Sequence, residues 1–133
     1  MTFIPRKSYQ DLVKEAEEAI SFISVEDALA LQELGTADFV DLRVFRELAK
    51  TGVIPNAHSC PRGLLEFWMD PSSPYAHDLF EKDTMFIFYC DNGWRSTLST
   101  RVAAEMGLQN VHCLRGGLDA WIEANGPMIP YHW

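Results

Sequence analysis

Residues 84–90, TMFIFYC, form an almost wholly apolar run that ends at a cysteine and passes directly into DNGWRS. The run is too short for a core helix and has a glycine-containing exit, so it predicts a strand, and its apolarity predicts a central one. A central strand of this kind needs partners on both sides. ADFVDLR, residues 37–43, is a second compact apolar run, ending in an acid and a base as a buried parallel strand does at its C-terminal edge. VHCL, residues 111–114, reads as a third strand, and SFIS between the first two helical stretches as another.

Helical segments alternate with these runs. Ser8 with Asp11 three residues on is a capping pattern before Leu12, Val13, Ala16, Ala19 and Ile20, and Ser24 with Asp27 repeats it before Ala28, Leu29 and Leu31. Gly35 closes the second helix. Further helices are expected from Phe45 to Lys50, stopped by Gly52, in GLLEFWMD, along a face made by Leu98, Val102, Ala103 and Met106 and ended by Gly107, and in LDAWIEANG. VIPNAHSCPRG reads as an irregular strand and turn, PSSPYAHD as a surface loop. The alternation implies an α/β fold with a mostly parallel five-stranded sheet and helices on both faces. The 133 residues suit one domain, a helical extension over 1–20 followed by a core over 21–127, with no repeat or linker to divide it.

Charge and cysteine usage narrow the function. A formal net charge of −8 repels nucleic-acid phosphates and anionic lipid, so neither is an expected partner. Three cysteines, Cys60, Cys90 and Cys113, leave an odd thiol under any intramolecular pairing and form no CxxC. A reducing compartment is the simpler reading. No stretch has the length of a membrane span, and MTFIPRKSYQDLVKEAEEAI lacks the continuous apolar segment of a secretory signal, so the expected location is the cytoplasm. His58, His77, His112 and His132 share no ligand spacing, so no metal is assigned.

The chemistry is concentrated at Cys90. It sits at the C-terminal end of the central strand and just before a helix, where open α/β sheets bind ligands and unpaired amides point outward. A thiolate there is stabilised by the positive end of the helix, which favours nucleophilic reactivity at neutral pH. Gly93 permits a tight turn whose successive amides converge on the sulfur, and Arg95 adds a charge beside it. Taken alone, a cysteine closing an apolar strand is more often a small buried hydrophobe; the following Gly, Arg and Ser reverse that reading. Asp91 opposes thiolate formation if it points inward, and is expected to face solvent.

VDLR with Glu47 four residues after Arg43, GVIPNAHSCPRG, the loop CDNGWRS and LRGGLDAW together resemble the rhodanese-like domain family, over about Ile23 to Pro127. The C-x-x-G-x-R loop and the late L-x-G-G-x-x-A-W carry most of the specificity, and single-domain bacterial members are the nearest in style. The chain departs from the family's G-H-I-P-G-A turn at Val53 and Asn56, which puts the turn geometry in question.

The resemblance implies sulfur transfer. Cys90 thiolate takes the sulfane sulfur of a donor such as thiosulfate, becoming a persulfide that cyanide or a thiol then discharges, so no cofactor is required. Asp91, Asn92, Gly93, Trp94 and Ser96 form the substrate cradle, and the amides of Asn92 to Ser96 surround the transferred sulfur. Arg95 holds the departing oxyanion. Arg43 either assists it or is structural, paired with Asp41 or Glu47. Trp94 restricts donors or packs on the domain. The implied partners are a small-molecule or protein sulfur donor and a thiol acceptor, with a second copy of the chain as a further one.

Two rivals remain open. A cysteine phosphatase is similar in architecture, but those loops resemble C-x5-R, and here four residues separate Cys90 from Arg95. A non-catalytic binding module of the same fold is the other, although such modules usually lack the cysteine. Cys60 reads as a structural cysteine or a resolving thiol, Arg62 as a surface arginine or a pocket lining, and Cys113 and Trp121 as packing residues. The terminal MIPYHW covers an apolar edge or meets a partner subunit.

Overall fold

The computed structural model describes residues 1–132. Five strands, β1 (Ser21–Ile23), β2 (Ala37–Asp41), β3 (His58–Ser59), β4 (Met85–Tyr89) and β5 (Val111–Leu114), form one parallel sheet in the order β1-β5-β4-β2-β3. The apolar run 84–90 supplies β4, the central strand. Its alternation explains the two-layered core. Phe86 and Phe88 join Val40, Leu42, Leu65, Leu79 and Ala103 on one face, while Ile87 and Tyr89 join Phe39, Ala28, Leu118 and Trp121 on the other.

The first face is covered by α4 (Leu65–Met69) and α5 (Trp94–Glu105), the second by α2 (Val25–Leu34) and α6 (Gly117–Glu123). The remaining helices are α1 (Tyr9–Ala19) and α3 (Phe45–Thr51). Both expected N-caps form: the Ser8 hydroxyl accepts from the Asp11 amide at 3.0 Å and the Ser24 hydroxyl from the Asp27 amide at 3.1 Å. α1 docks on α5 and buries Val13 and Ala16, so the N-terminal extension packs directly on the helix that follows Cys90.

Two readings of the sequence differ from the structure. The expected apolar face of α5 is not what α5 buries: Met106 is exposed, and Ser96, Thr97, Ser99 and Thr100 lie inside with Ala103. These hydroxyls satisfy themselves locally. Ser99 donates to the Arg95 carbonyl at 2.6 Å and Thr100 to the Ser96 carbonyl at 2.7 Å, which removes most of the cost of burying them. The turn questioned at Asn56 also forms, because Asn56 adopts φ 66°, the left-handed region that asparagine tolerates better than other side chains.

Trp121 is fully buried, edge-on to Phe39 at 5.6 Å, and its indole N–H donates to the Pro127 carbonyl at 3.0 Å. Val53 and Ile129 form a bridge that ties the C-terminal stretch to the chain after α3, and Tyr131 stacks on Phe45 at 6.4 Å. Thus the described part of MIPYHW covers an edge of its own chain, while Trp133 lies outside the described residues.

Candidate active site

β4 delivers Cys90 to the C-terminal edge of the sheet, and Gly93, at φ 102°, turns the chain at once into α5. The sulfur therefore faces the start of a helix. The Gly93 amide donates to Cys90 Sγ at 3.1 Å and the Ser96 amide at 3.4 Å, with the Ser96 hydroxyl also 3.4 Å away. Not every loop amide is free for this. The Asn92 amide donates to the Asp91 carboxylate at 2.8 Å and the Trp94 amide to the Asn92 side chain at 3.0 Å, so these two brace the loop. Cys90 itself has no exposed surface.

α6 holds the loop from behind. Gly116 and Gly117 both have positive φ, 78° and 63°, and the Leu118 and Asp119 amides donate to the Cys90 and Asp91 carbonyls at 2.8 and 2.9 Å. A Cβ on Gly117 would stand 2.7 Å from the Asp91 carbonyl oxygen and 2.9 Å from that of Cys90. Of the paired glycines of LRGGLDAW, Gly117 is thus required by close backbone approach to the cysteine loop, whereas a Cβ on Gly116 would stand 2.7 Å from the Ala120 Cβ.

Arg95 is not a free cation. Its Nη1 donates to Glu47 Oε1 at 2.7 Å, and its Nη2 donates to Glu47 Oε2 at 2.8 Å and to Asp91 Oδ1 at 2.9 Å. This two-carboxylate clamp, spanning α3, the loop and α5, makes Arg95 a strut. The Glu47 hydrogen bond raises the guanidinium's proton affinity further, against the effect of burial and with help from Asp91 and the neighbouring Cys90. Reciprocally, Arg95 holds the Glu47 carboxyl below its ordinary value. Burial pulls Asp91 upward, but Arg95 and the Asn92 amide outweigh it and keep Asp91 low.

Arg43 is 2% exposed and bonded throughout. It donates to Asp41 through Nε and Nη2, at 2.7 Å for the latter, to the Thr51 hydroxyl at 2.7 Å and to the Gly52 carbonyl at 2.8 Å. Of the two roles open for it, these contacts match the structural one: Nε, Nη1 and Nη2 each donate to Asp41, Thr51 or Gly52. Arg62 likewise pairs with Glu66 at 2.9 Å. Trp94 is half exposed and packs on Tyr9 of α1, centroids 5.0 Å apart, so it both caps the loop and presents an aromatic face.

The other thiols differ from Cys90 in their surroundings. Cys60 lies in the apolar core, where burial pushes its thiol up to about 12. Cys113, also fully buried, sits beneath the loop with its sulfur 3.4 Å from the Ser96 hydroxyl; burial raises it as well. The residues that sequence reasoning missed are Glu47 as the partner of Arg95, Tyr9 against Trp94, and the amides of α6. Glu47 stood in the quoted motif, but nothing local separated Arg43 from Arg95 as its partner.

The rhodanese-like domain model matches residues 24–124. A sulfurtransferase of Allochromatium vinosum is 31% identical over 90 residues, covering 68% of this chain and 76% of that protein. Among solved structures, a protein of unknown function from Rhodopseudomonas palustris, described as a possible tyrosine phosphatase, is 40% identical with a TM-score of 0.94, covering 97% of this chain and 99% of that one. The human single-domain sulfurtransferase is 25% identical with a TM-score of 0.62, covering 77% and 95%. With the parallel sheet, the amide-ringed cysteine and the glycine pair behind it, the chain belongs to the rhodanese-like domain family.

Proposed function

We propose that the protein is a sulfurtransferase that carries sulfane sulfur as a persulfide on Cys90, moving it from a donor such as thiosulfate to a nucleophilic acceptor, cyanide or a thiol. The observation that carries this reading is the convergence of the Gly93 and Ser96 amides and the Ser96 hydroxyl on Cys90 Sγ, at 3.1 to 3.4 Å, at the start of α5. Preorganised donors of this kind stabilise negative charge on the thiolate and on the sulfur it receives. Cys90 thiolate attacks the outer sulfur of the donor, a bond from Sγ to that sulfur forms, and the bond to the carrier breaks with its electron pair leaving on the carrier. The acceptor then attacks the same sulfur and Cys90 departs as thiolate, a ping-pong cycle without a redox partner. Arg95, clamped by Glu47 and Asp91, acts as a positioning residue that holds the loop in shape.

The phosphatase description of the Rhodopseudomonas relative raises a rival that the loop disfavours. Four residues between Cys90 and Arg95 make a smaller ring than a phosphoryl group needs, and Arg95 is already bound by two carboxylates. A non-catalytic module remains the alternative from another class. Three free thiols fit a reducing compartment, which supports a cytoplasmic location; no helix of the described residues is long and apolar enough to cross a membrane.

Intact mass after incubation with sulfane donors, with and without later cyanide, tests the reading on wild type and Cys90→Ser. A gain of one sulfur atom that needs Cys90 and is reversed by cyanide is the expected result. Absence of any gain with every donor would leave a binding module.

A further inference from the structure

Resting on the reading of Cys90 as nucleophile, we infer that Cys113 is a positioning residue for it: the Cys113 S–H donates to the Ser96 hydroxyl, which turns that hydroxyl's proton onto Cys90 Sγ whenever the sulfur is negative. β5 pairs with β4 so that Cys113 stands opposite Phe88, on the face that α5 covers. Cys113 is fully buried there, and its sulfur lies 3.4 Å from the Ser96 hydroxyl oxygen. The Thr97 hydroxyl, at 3.6 Å, and the Leu114 carbonyl, at 3.9 Å, are farther. Cys90 Sγ lies 3.4 Å from the same Ser96 oxygen, so one hydroxyl joins the two thiols.

That hydroxyl has one proton and two lone pairs to share among three neighbours, the third being the Gly93 carbonyl at 3.2 Å. While Cys90 is a thiol, Ser96 donates to the carbonyl and accepts from both S–H groups. A thiolate can only accept, so on ionisation of Cys90 the hydroxyl proton swings from the carbonyl to the sulfur. Cys113 keeps donating throughout, because burial raises its thiol and leaves it protonated at neutral pH. A hydroxyl that accepts one hydrogen bond is a better donor in the next, so the bond to Cys90 strengthens. The hydroxyl rotates, and no proton leaves Ser96 or Cys113. The device acts at both ends of the cycle, when the thiolate attacks and when it departs.

Packing alone would be served by an apolar setting, and the chain contains that contrast. Cys60, equally buried, shares an apolar cluster with Val40, Leu42 and Leu65. Cys113 instead meets the hydroxyls of Ser96 and Thr97, whereas their neighbours Ser99 and Thr100 donate back to carbonyls of their own helix.

The charged groups on the elements around Cys90 are Asp91 in the loop, Arg95 on α5, Glu47 on α3, the Asp41–Arg43 pair at the end of β2, Arg115 after β5 and Asp119 on α6. All of them stay in place in the variants below, so differences between variants isolate the relay. The test titrates Cys90 by the ultraviolet absorbance of its thiolate, each protein read against the same protein carrying Cys90→Ser. On the acidic side of the titration, the thiolate fraction is expected to fall about threefold in Cys113→Ala, which removes the donor. It is expected to stay at or above wild type in Cys113→Ser, which keeps one. In a Ser96→Ala background Cys113→Ala is expected to add no further change. An unmoved titration in Cys113→Ala, an equal fall in Cys113→Ser, or an equal fall without the Ser96 hydroxyl would overturn the inference and leave Cys113 a packing residue. If Cys113→Ala does not fold, Cys113→Val, which also lacks a donor but fills the space, takes its place in each comparison. No sulfur donor enters the titration, so failure of the relay is read separately from failure of sulfur transfer, which the mass assay reports.

Discussion

Replacing Cys90 by serine substitutes a poor nucleophile in a cradle shaped for sulfur, and loading with sulfane sulfur is expected to fall by on the order of 10³-fold or more in a stopped mass assay. The same assay separates the three thiols. Cys60, pushed up to about 12 by burial, and the buried Cys113 are expected to resist alkylation until urea unfolds the chain. Acid tests the clamp. Glu47 and Asp91 both titrate lower in the folded protein than at their ordinary values of 4.5 and 3.8. The stabilisation they supply is therefore present above those values and is lost as pH falls through the folded ones. The urea midpoint of wild type should drop on acidification below about pH 4.5, and Glu47→Gln should show a shallower drop over that window. Equal slopes would mean that the clamp adds nothing to stability.

Among the elements, α6 holds the Cys90 loop through its backbone. Its first amides hold the carbonyls of Cys90 and Asp91, and Gly117 leaves no room for a Cβ between them. Gly117→Ala combines a clash of 2.7 to 2.9 Å with a φ of 63°, so a loss of about 1–3 kcal/mol is expected, accompanied by slower Cys90 loading because the loop must shift. Gly35→Ala is the control: its φ is 70°, yet nothing lies within 4 Å of the added Cβ. It should cost stability without slowing the loading of folded molecules. A urea titration paired with the loading rate distinguishes the two.

The whole molecule depends on a sheet covered on both faces, and one of the two coverings turns on Trp121. Its side chain is fully buried, against Phe39 and Gly126, at the centre of the layer that α2 and α6 make with the sheet. Trp121→Ala is expected to lower stability by about 3–5 kcal/mol in chemical denaturation, since the void cannot close around rigid strands. Trp121 shares α6 with the amides that hold the Cys90 loop, so the fraction still folded is expected to load sulfur more slowly than wild type.

Much of this protein was determined by local sequence. The apolar run 84–90 sets the central strand, its alternation divides the core, and Ser8, Ser24 and Gly35 place helix ends by hydrogen bonds that reach no further than a few residues. Cys90, Gly93 and Ser96 were legible as a cradle for the same reason, because the turn that joins them spans seven residues. Tertiary structure alone decided which carboxylate each arginine takes. Arg43 and Arg95 both carry five donors, and Glu47 lies four residues from one and 48 from the other, yet it bonds the distant one because β2 and β4 are paired neighbours. The buried hydroxyl face of α5 escaped hydrophobic periodicity because Ser99 and Thr100 satisfy themselves on their own helix, which only burial reveals. Charge at the mouth of the site is of this second kind: composition counts carboxylates, but only packing places two of them on one arginine.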